Sequence, residues 1–321
     1  MAVYTQVDEE ALAKFLAGYG IGQALSFKGI AEGVENSNYI LDTERGRFIL
    51  TLYEKRVSAS DLPFFLGLME HLAVRALPCP TPVKRADGGL VSSLCGRPAA
   101  LIRFLEGMSI TRPSAEQCRQ VGLALAGLHE IGVDFPLKRV NTMSLDGWKA
   151  LAGQIGARAD AVLPGLATII ASEIAFLSER WPSHLPSGVI HADLFPDNVF
   201  FLHGKLSGLI DFYFACNDLF ALDLVIVLNA WCFERSGEFN ISKARALLAG
   251  YKARRHLTSD EMLALPILAR GAALRFLLTR TIDWIEQPEG ALVRPKDPGE
   301  YLKKLQFHRG VTTPRGYGLD V

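Results

Sequence analysis

The stretch "GVIHADLFPDNVFFLHGKLSGLIDFYFAC", Gly188 to Cys216, decides how the rest of the chain is read. Its runs "VFFL" and "LSGLIDFYF" are apolar and β-prone, the composition of interior strands. Yet His191, Asp193, Asp197, Asn198 and Asp211 sit among them. A buried carboxylate without a partner is very costly, so these acids require a metal, a phosphate or a charged side chain.

The order is His191, one residue, Asp193, four residues, Asn198, and then Asp211-Phe212 after an apolar strand. This resembles the protein-kinase catalytic loop and its DFG-type metal site. The resemblance implies that Asp193 accepts a hydrogen bond from a substrate hydroxyl and takes its proton as phosphoryl transfer proceeds. Asn198 and Asp211 then supply oxygen ligands to Mg²⁺ on the nucleotide phosphates, and a hairpin between them returns Asp211 beside Asn198. His191 holds the loop by hydrogen bonds. Asp197, beside Pro196, reads as a turn residue.

Working outward, the 321 residues suffice for two domains or one bilobal domain. Hydrophobic residues make up 49% and charged residues 21%, an ordinary globular balance. Lys+Arg and Asp+Glu are both 34, and no block of like charge stands out. That argues against a nucleic-acid or membrane partner and for a small molecule. The first residues lack the basic and apolar regions of a signal peptide. The most apolar later stretches are interrupted by Asp223 or by Arg270, Arg275 and Arg280, so neither reads as a membrane span. Five scattered cysteines without a CxxC pair suit reduced thiols in the cytoplasm.

Strands dominate the first third. Asp8 caps a helix over "EEALAKFLAGYG", then "ALSFKGIAE", "NSNYILDT" and "RFILTLYE" read as strands, the last two joined by "ERGR". Ser60 is placed to cap a helix through "DLPFFLGLMEHLAVRA", and "RPAALIRFLEG" reads as a further strand. Beyond Gly107 helices take over, beginning with "PSAEQCRQVGLALAGLHEIG" and its Ser114/Gln117 capping box. The expected fold is α+β and protein-kinase-like. A β-rich nucleotide-binding lobe spans 1–104, a mainly helical catalytic and substrate-binding lobe spans 105–321, and a short connector lies near Arg103 to Gly107. Clefts between such lobes are favoured ligand sites.

Several segments, in order, resemble the aminoglycoside and choline phosphotransferases, small-molecule kinases of this fold. "EGVENSNYIL" resembles their nucleotide loop, which would bring backbone N–H groups of Gly33, Asn36, Ser37 and Asn38 to the phosphates. "LIRFLEG" resembles the hinge, so the backbone of Arg103, Phe104 and Leu105 is expected to bond adenine. "LALAGLHEIG" resembles a rear-lobe helix on which His129 is a packing residue. More narrowly, "LIDFYFACNDLFALDLVIVLNAWCF", "RGAALRFLLTRTIDW" and "DPGEYLKKLQFH" resemble the bacterial homoserine kinases of the superfamily. That likeness implies ATP and Mg²⁺ as cofactors, and transfer of the γ-phosphate to the side-chain hydroxyl of L-homoserine on the way to threonine.

One position departs from the wider pattern. The third strand usually carries a lysine that contacts the phosphates and pairs with a helix glutamate. Here the position holds Thr51, and Lys55 beyond the strand is either a displaced equivalent or a solvated surface residue. Glu70 is the natural helix carboxylate. An inactive nucleotide-binding module is therefore a competing reading, against which the intact Asp193, Asn198 and Asp211 weigh. A choline, ethanolamine or aminoglycoside kinase is another. For a homoserine acceptor, Arg275 is expected to hold the carboxylate, as the middle arginine of an apolar helix, and Asp218 or Asp223 to meet the ammonium unless they brace the catalytic loop.

Overall fold

A computed structural model describes residues 5–30, 36–54, 58–287 and 295–319. Gly33 and Lys55 lie outside the described residues. Helix α1 (Glu9–Leu16) is capped by Asp8, whose side chain accepts from the Ala11 amide. It buries Leu12, Phe15 and Leu16, one stripe at helical spacing. Strands β1 (Ala24–Gly29), β2 (Asn36–Thr43) and β3 (Gly46–Tyr53) follow in antiparallel register. Helix α2 (Leu62–Val74) precedes β4 (Ser92–Leu94) and β5 (Arg97–Arg103), which complete a sheet of order β1-β2-β3-β5-β4.

Strand periodicity sorts the two faces of this sheet. From β3, Phe48, Leu50 and Leu52 join α1 in one core, together with Leu41, Leu94 and Leu101. Thr51 and Tyr53 point the other way. Tyr53, Ala100 and Ile102 belong instead to a second, larger core that includes α2 and most of the rear lobe. α2 thus sits in front by sequence and packs behind. Its Phe64 ring meets Phe135 edge-on, and His71 Nε2 donates to the Ile131 carbonyl at 2.9 Å.

The expected Ser60 cap is not formed. Residues Ala59–Asp61 make a 3₁₀ turn and Asp61 takes the cap position. Its carboxylate makes no cap bond because it is drawn across to Arg139 at 2.9 Å.

The rear lobe is built from α3 (Ala115–Gly132), α4 (Leu145–Ile155), the one-turn α5 (Ala159–Val162) and α6 (Leu166–Arg180). The Ser114/Gln117 capping box is present at the start of α3. Four short strands then replace the two expected from sequence: β6 (Ser187–Ile190), β7 (Val199–Leu202), β8 (Lys205–Leu209) and β9 (Cys216–Leu219). β7 and β8 form a hairpin, and β6 pairs antiparallel with β9. The run "LSGLIDFYF" is no single strand, since Asp211 adopts a left-handed backbone (φ 63°) and Phe212–Phe214 is a 3₁₀ turn. Helices α7 (Phe220–Trp231), α8 (Ile241–Lys252), α9 (Ser259–Ile285) and α10 (Pro298–Arg309) complete the chain. Helix α9 is long and apolar enough to cross a membrane, but most of it is buried inside the fold.

α3 and α8 cross at glycines. A Cβ on Gly122 would lie 2.0 Å from the Leu247 carbonyl oxygen, and one on Gly250 would lie 2.0 Å from that of Arg119. Both obstacles are backbone, so neither can swing aside. Gly122→Ala should therefore lower unfolding free energy by roughly 1–3 kcal/mol by forcing the helices apart. At Gly153 on α4 a Cβ meets nothing within 4 Å, so Gly153→Ala should be neutral or raise stability by about 0.5–1 kcal/mol. Denaturant melts of both variants against the parent chain check the opposite signs.

Candidate active site

The loop that carries His191, Asp193 and Asn198 is held from behind by one buried carboxylate. Asp223, in the first turn of α7, is fully buried. It accepts from the His191 amide at 2.7 Å, the Ala192 amide at 2.8 Å and His129 Nε2 at 3.0 Å. Burial alone would raise its carboxyl, but the hydrogen bond from His129, with further help from the His191 amide, holds it below the usual carboxylate range. Burial depresses the His129 imidazole despite Asp223. The contact is therefore a neutral ring N–H donating to a carboxylate, and Tyr251 OH donates to the other ring nitrogen at 2.8 Å. Asp223 braces the loop with both oxygens, so it is not the ammonium receptor expected as one possibility. Its desolvated position leaves no face for a substrate.

The loop's own carbonyls are also satisfied. Arg275 donates to the Ala192 carbonyl at 2.6 Å, Asn198 to that of Asp193 at 2.8 Å, and the Trp231 indole to that of Leu194 at 2.8 Å. Ala192 has φ 63°, a left-handed conformation that costs an alanine about 1–2 kcal/mol. Asp223 and Arg275 grip its two peptide groups and hold it there. His191 works as expected: Nε2 donates to the Ile210 carbonyl at 3.0 Å and Nδ1 accepts from the Asp193 amide at 3.3 Å. One ring thus ties the catalytic loop to the residue before Asp211.

Asp193 faces a cavity of about 410 Å³. Burial pushes its carboxyl up to about 8; Arg275 pulls it down, and Asp211 and Asp197 push it further up. Asn198 Nδ2 also donates to Asp193 Oδ2 at 3.2 Å. The Ile210 amide bonds the Asn198 carbonyl at 2.9 Å, so the β7–β8 hairpin does return Asp211 beside Asn198. Asp211 is exposed. The donor set suits a magnesium nucleotide. Asn198 directs its amide nitrogen at Asp193, which leaves its oxygen for a cation, and Asp211 adds a carboxylate. Two protein oxygens match an ion that keeps waters and substrate phosphates as its other ligands. Among the described residues, no three His, Cys, Asp or Glu side chains gather into an all-protein metal cage.

The nucleotide side departs from expectation in several places. Asn36, Ser37 and Asn38 begin β2 rather than lying in the loop before it. Their side chains are engaged there: Asn38 accepts from Thr51 Oγ1 at 2.8 Å, Ser37 donates to Glu54 at 2.7 Å, and Asn36 accepts from the Glu54 amide. Thr51 is buried at the usual lysine position, within hydrogen-bonding reach of Tyr213. Glu70 pairs with Lys84 at 2.5 Å and not with a β3 lysine. At the hinge, the Arg103 and Phe104 amides already bond the carbonyls of Thr81 and Arg47. Leu105 follows and packs its side chain under Gly208.

Of the three arginines on α9, only Arg275 lines the cavity. It is almost fully buried, and its Nε has no hydrogen-bond partner. Arg270 pairs with Glu173, and Arg280 with Glu300 at 2.6 Å. These acids come from α6 and α10. Asp218 accepts from Asn141 Nδ2 at 2.6 Å and from the Leu219 amide at 2.7 Å. It therefore stands behind Asn141, which does line the cavity, and does not reach an acceptor itself. Sequence reasoning missed Asp61, Arg139, Asn141, Tyr213 and the cavity role of Asp283. They come from four separate segments with no shared spacing, so no linear signal marks them.

A model of the phosphotransferase enzyme family matches residues 26–257. The chain is similar to homoserine kinase of Rhizobium meliloti (strain 1021), 60% identical over 319 residues that cover 99% of this chain and 98% of that one. It is likewise similar to homoserine kinase of Chelativorans sp. (strain BNC1), 61% identical over 321 residues and 100% of each chain. Among solved structures, amicoumacin kinase hAmiN in complex with AMP-PNP, Ca²⁺ and Ami superposes with a TM-score of 0.71 at 16% identity, covering 96% of this chain and 95% of that one. That likeness establishes the kinase-like bilobal fold. The chain belongs to the phosphotransferase enzyme family and, within it, to the homoserine kinases.

Proposed function

We infer that the protein transfers the γ-phosphate of ATP to the side-chain hydroxyl of L-homoserine, giving O-phospho-L-homoserine for threonine biosynthesis. The observation that carries this reading is the cavity in front of Asp193. Besides that base it is lined by two arginines, Arg139 and Arg275, and two further acids, Asp61 and Asp283. Balanced charge suits a zwitterion. An aminoglycoside is a polycation and calls for a predominantly acidic wall, while choline and ethanolamine have no carboxylate to give the arginines.

In this reading residues 1–104 hold the nucleotide and 105–321 supply the chemistry and the acceptor site. Leu105 and its neighbours Arg103 and Phe104 border adenine, and β2 from Asn36 to Asn38 frames the base of the phosphate loop. Asn198 and Asp211 would hold Mg²⁺, which supplies charge neutralisation of the phosphates when bound. Asp193 accepts the hydroxyl proton, its pKa near neutrality suiting a base that must both take and release one. Arg275 stands at this hydroxyl end of the acceptor site, where its charge lowers the Asp193 carboxyl against the effect of burial. Free, unpaired cysteines among the described residues are in keeping with a cytoplasmic setting.

Offered homoserine, choline and kanamycin separately with Mg·ATP, the enzyme should release ADP at a catalytic rate with homoserine alone. Turnover of choline or kanamycin at the homoserine rate refutes the assignment. Asp193→Asn should cut kcat by about 10²–10⁴-fold while ATP affinity, read by nucleotide titration, stays near the parent value. Near-parental kcat in that variant removes Asp193 from the mechanism. Asp211→Ala should fail differently, by raising the Mg²⁺ concentration needed for half-maximal rate at fixed ATP. An unchanged Mg²⁺ requirement would make Asp211 merely structural.

A further inference from the structure

The acceptor cavity has two guanidinium groups, and they are not equivalent. In homoserine the ammonium and carboxylate hang from the same carbon, so their receptors in a selective site must be neighbours. Arg275 fails that requirement. One of its amino groups is fixed on the Ala192 carbonyl at 2.6 Å, its guanidinium lies 4.6 Å from the Phe276 ring centroid, and the acid it acts on is Asp193 itself. The other acid of its helix that lines the cavity, Asp283, is eight residues along α9, which is about 12 Å of axial rise.

Arg139 and Asp61 meet the requirement. They form an ion pair at 2.9 Å on the cavity wall. Arg139 is rigidly seated: its amide donates to Asn217 Oδ1 at 2.8 Å, Nη1 donates to the Ala215 carbonyl at 3.2 Å, and its guanidinium lies over Phe65 at 4.9 Å. Its Nε donates to Asp61 Oδ2. This leaves Arg139 Nη2 and Asp61 Oδ1 without an intramolecular partner among the described residues, on groups that are already ordered.

We propose that the Asp61–Arg139 pair is the receptor for the amino-acid head of the acceptor, Asp61 taking the ammonium and Arg139 the carboxylate. The assignment rests on the homoserine reading and replaces Arg275 as the expected carboxylate clamp. A zwitterion laid antiparallel along a fixed ion pair places each charge against its opposite, and little side-chain entropy remains to be lost on binding. With the head held there, the hydroxyl is left to reach Asp193, which lines the same cavity. The two residues come from different parts of the fold. Asp61 opens α2, below the sheet, and Arg139 follows α3. An acceptor bound to both bridges front and rear elements, and one lacking either charge leaves a polar group unpaired.

The test compares kcat/KM for homoserine, for 3-aminopropan-1-ol (which lacks the carboxylate) and for 4-hydroxybutyrate (which lacks the ammonium). Asp61→Asn should lower kcat/KM by about 10- to 100-fold for homoserine and 3-aminopropan-1-ol and leave 4-hydroxybutyrate within a few-fold. Arg139→Gln should do the converse, penalising homoserine and 4-hydroxybutyrate. KM for ATP should not move in either variant. An equal loss on all three acceptors makes the pair a strut between the lobes and overturns the assignment; so does no loss at all. Arg139 also bonds a backbone carbonyl, so if Arg139→Gln fails to fold, the near-isosteric Asp61→Asn and the milder Arg139→Lys decide the matter by the same selectivity pattern. Parent enzyme that ignores homoserine refutes the functional reading instead, a result distinct from uniform losses in the variants.

Discussion

Everything at this site depends on the Asp223 carboxylate. A fully buried acid is costly unless its lone pairs are filled, and here three N–H donors converge on it. Two of those donors are the consecutive amides of His191 and Ala192. By gripping them it sets the backbone direction immediately before Asp193 and makes the left-handed turn at Ala192 tenable. The third donor, His129, carries the same constraint to α3 and through Tyr251 to α8. Three helices are thus registered to one loop by a single buried charge.

The remaining polar groups of the loop follow the same logic. Each carbonyl from Ala192 to Leu194 receives one side-chain donor, from α9, the loop itself and α7 in turn. Such a network is stable only when every member is satisfied. It also explains why α9 and α7 can be so apolar and yet carry an arginine and a tryptophan. Arg275 is costly to bury. In exchange it supplies one hydrogen bond to the loop and a positive charge that lowers the Asp193 carboxyl against the effect of burial.

Across the cleft, the front lobe contributes neutral groups where a lysine is customary. Thr51 and Tyr53 on β3 reach Tyr213 in the turn after Asp211, with Tyr53 and Tyr213 hydroxyls 3.1 Å apart. A threonine cannot offset phosphate charge. The Glu70–Lys84 pair shows where the unused helix carboxylate went. The cores tell a related story. α2 packs with the rear lobe, so the two lobes share one continuous apolar mass beneath a sheet that keeps its own small core with α1.

The sequence by itself determined the element order, the α+β class and the His191–Asp193–Asn198 loop as a candidate site, because each of these is a local pattern. Period-2 and period-3.6 spacing report burial within a few residues, caps such as Asp8 and Ser114 act within one turn, and the His191–Asp193–Asn198 spacing lies within one loop. Arg275, in the most apolar part of its helix, has the least solvent to reach and lines the cavity. Only the tertiary structure decided what each charged group is paired with. Asp223 and Asp218 follow Asp211 closely enough to suggest substrate contact, yet one is sealed under the His191–Asp193 loop and the other behind Asn141. Asp61 and Arg139 are far apart in sequence, and meet because α2 docks on the rear lobe. Coulomb and hydrogen-bond partners are set by distance in space, and a chain that folds back on itself does not record those distances in its spacing.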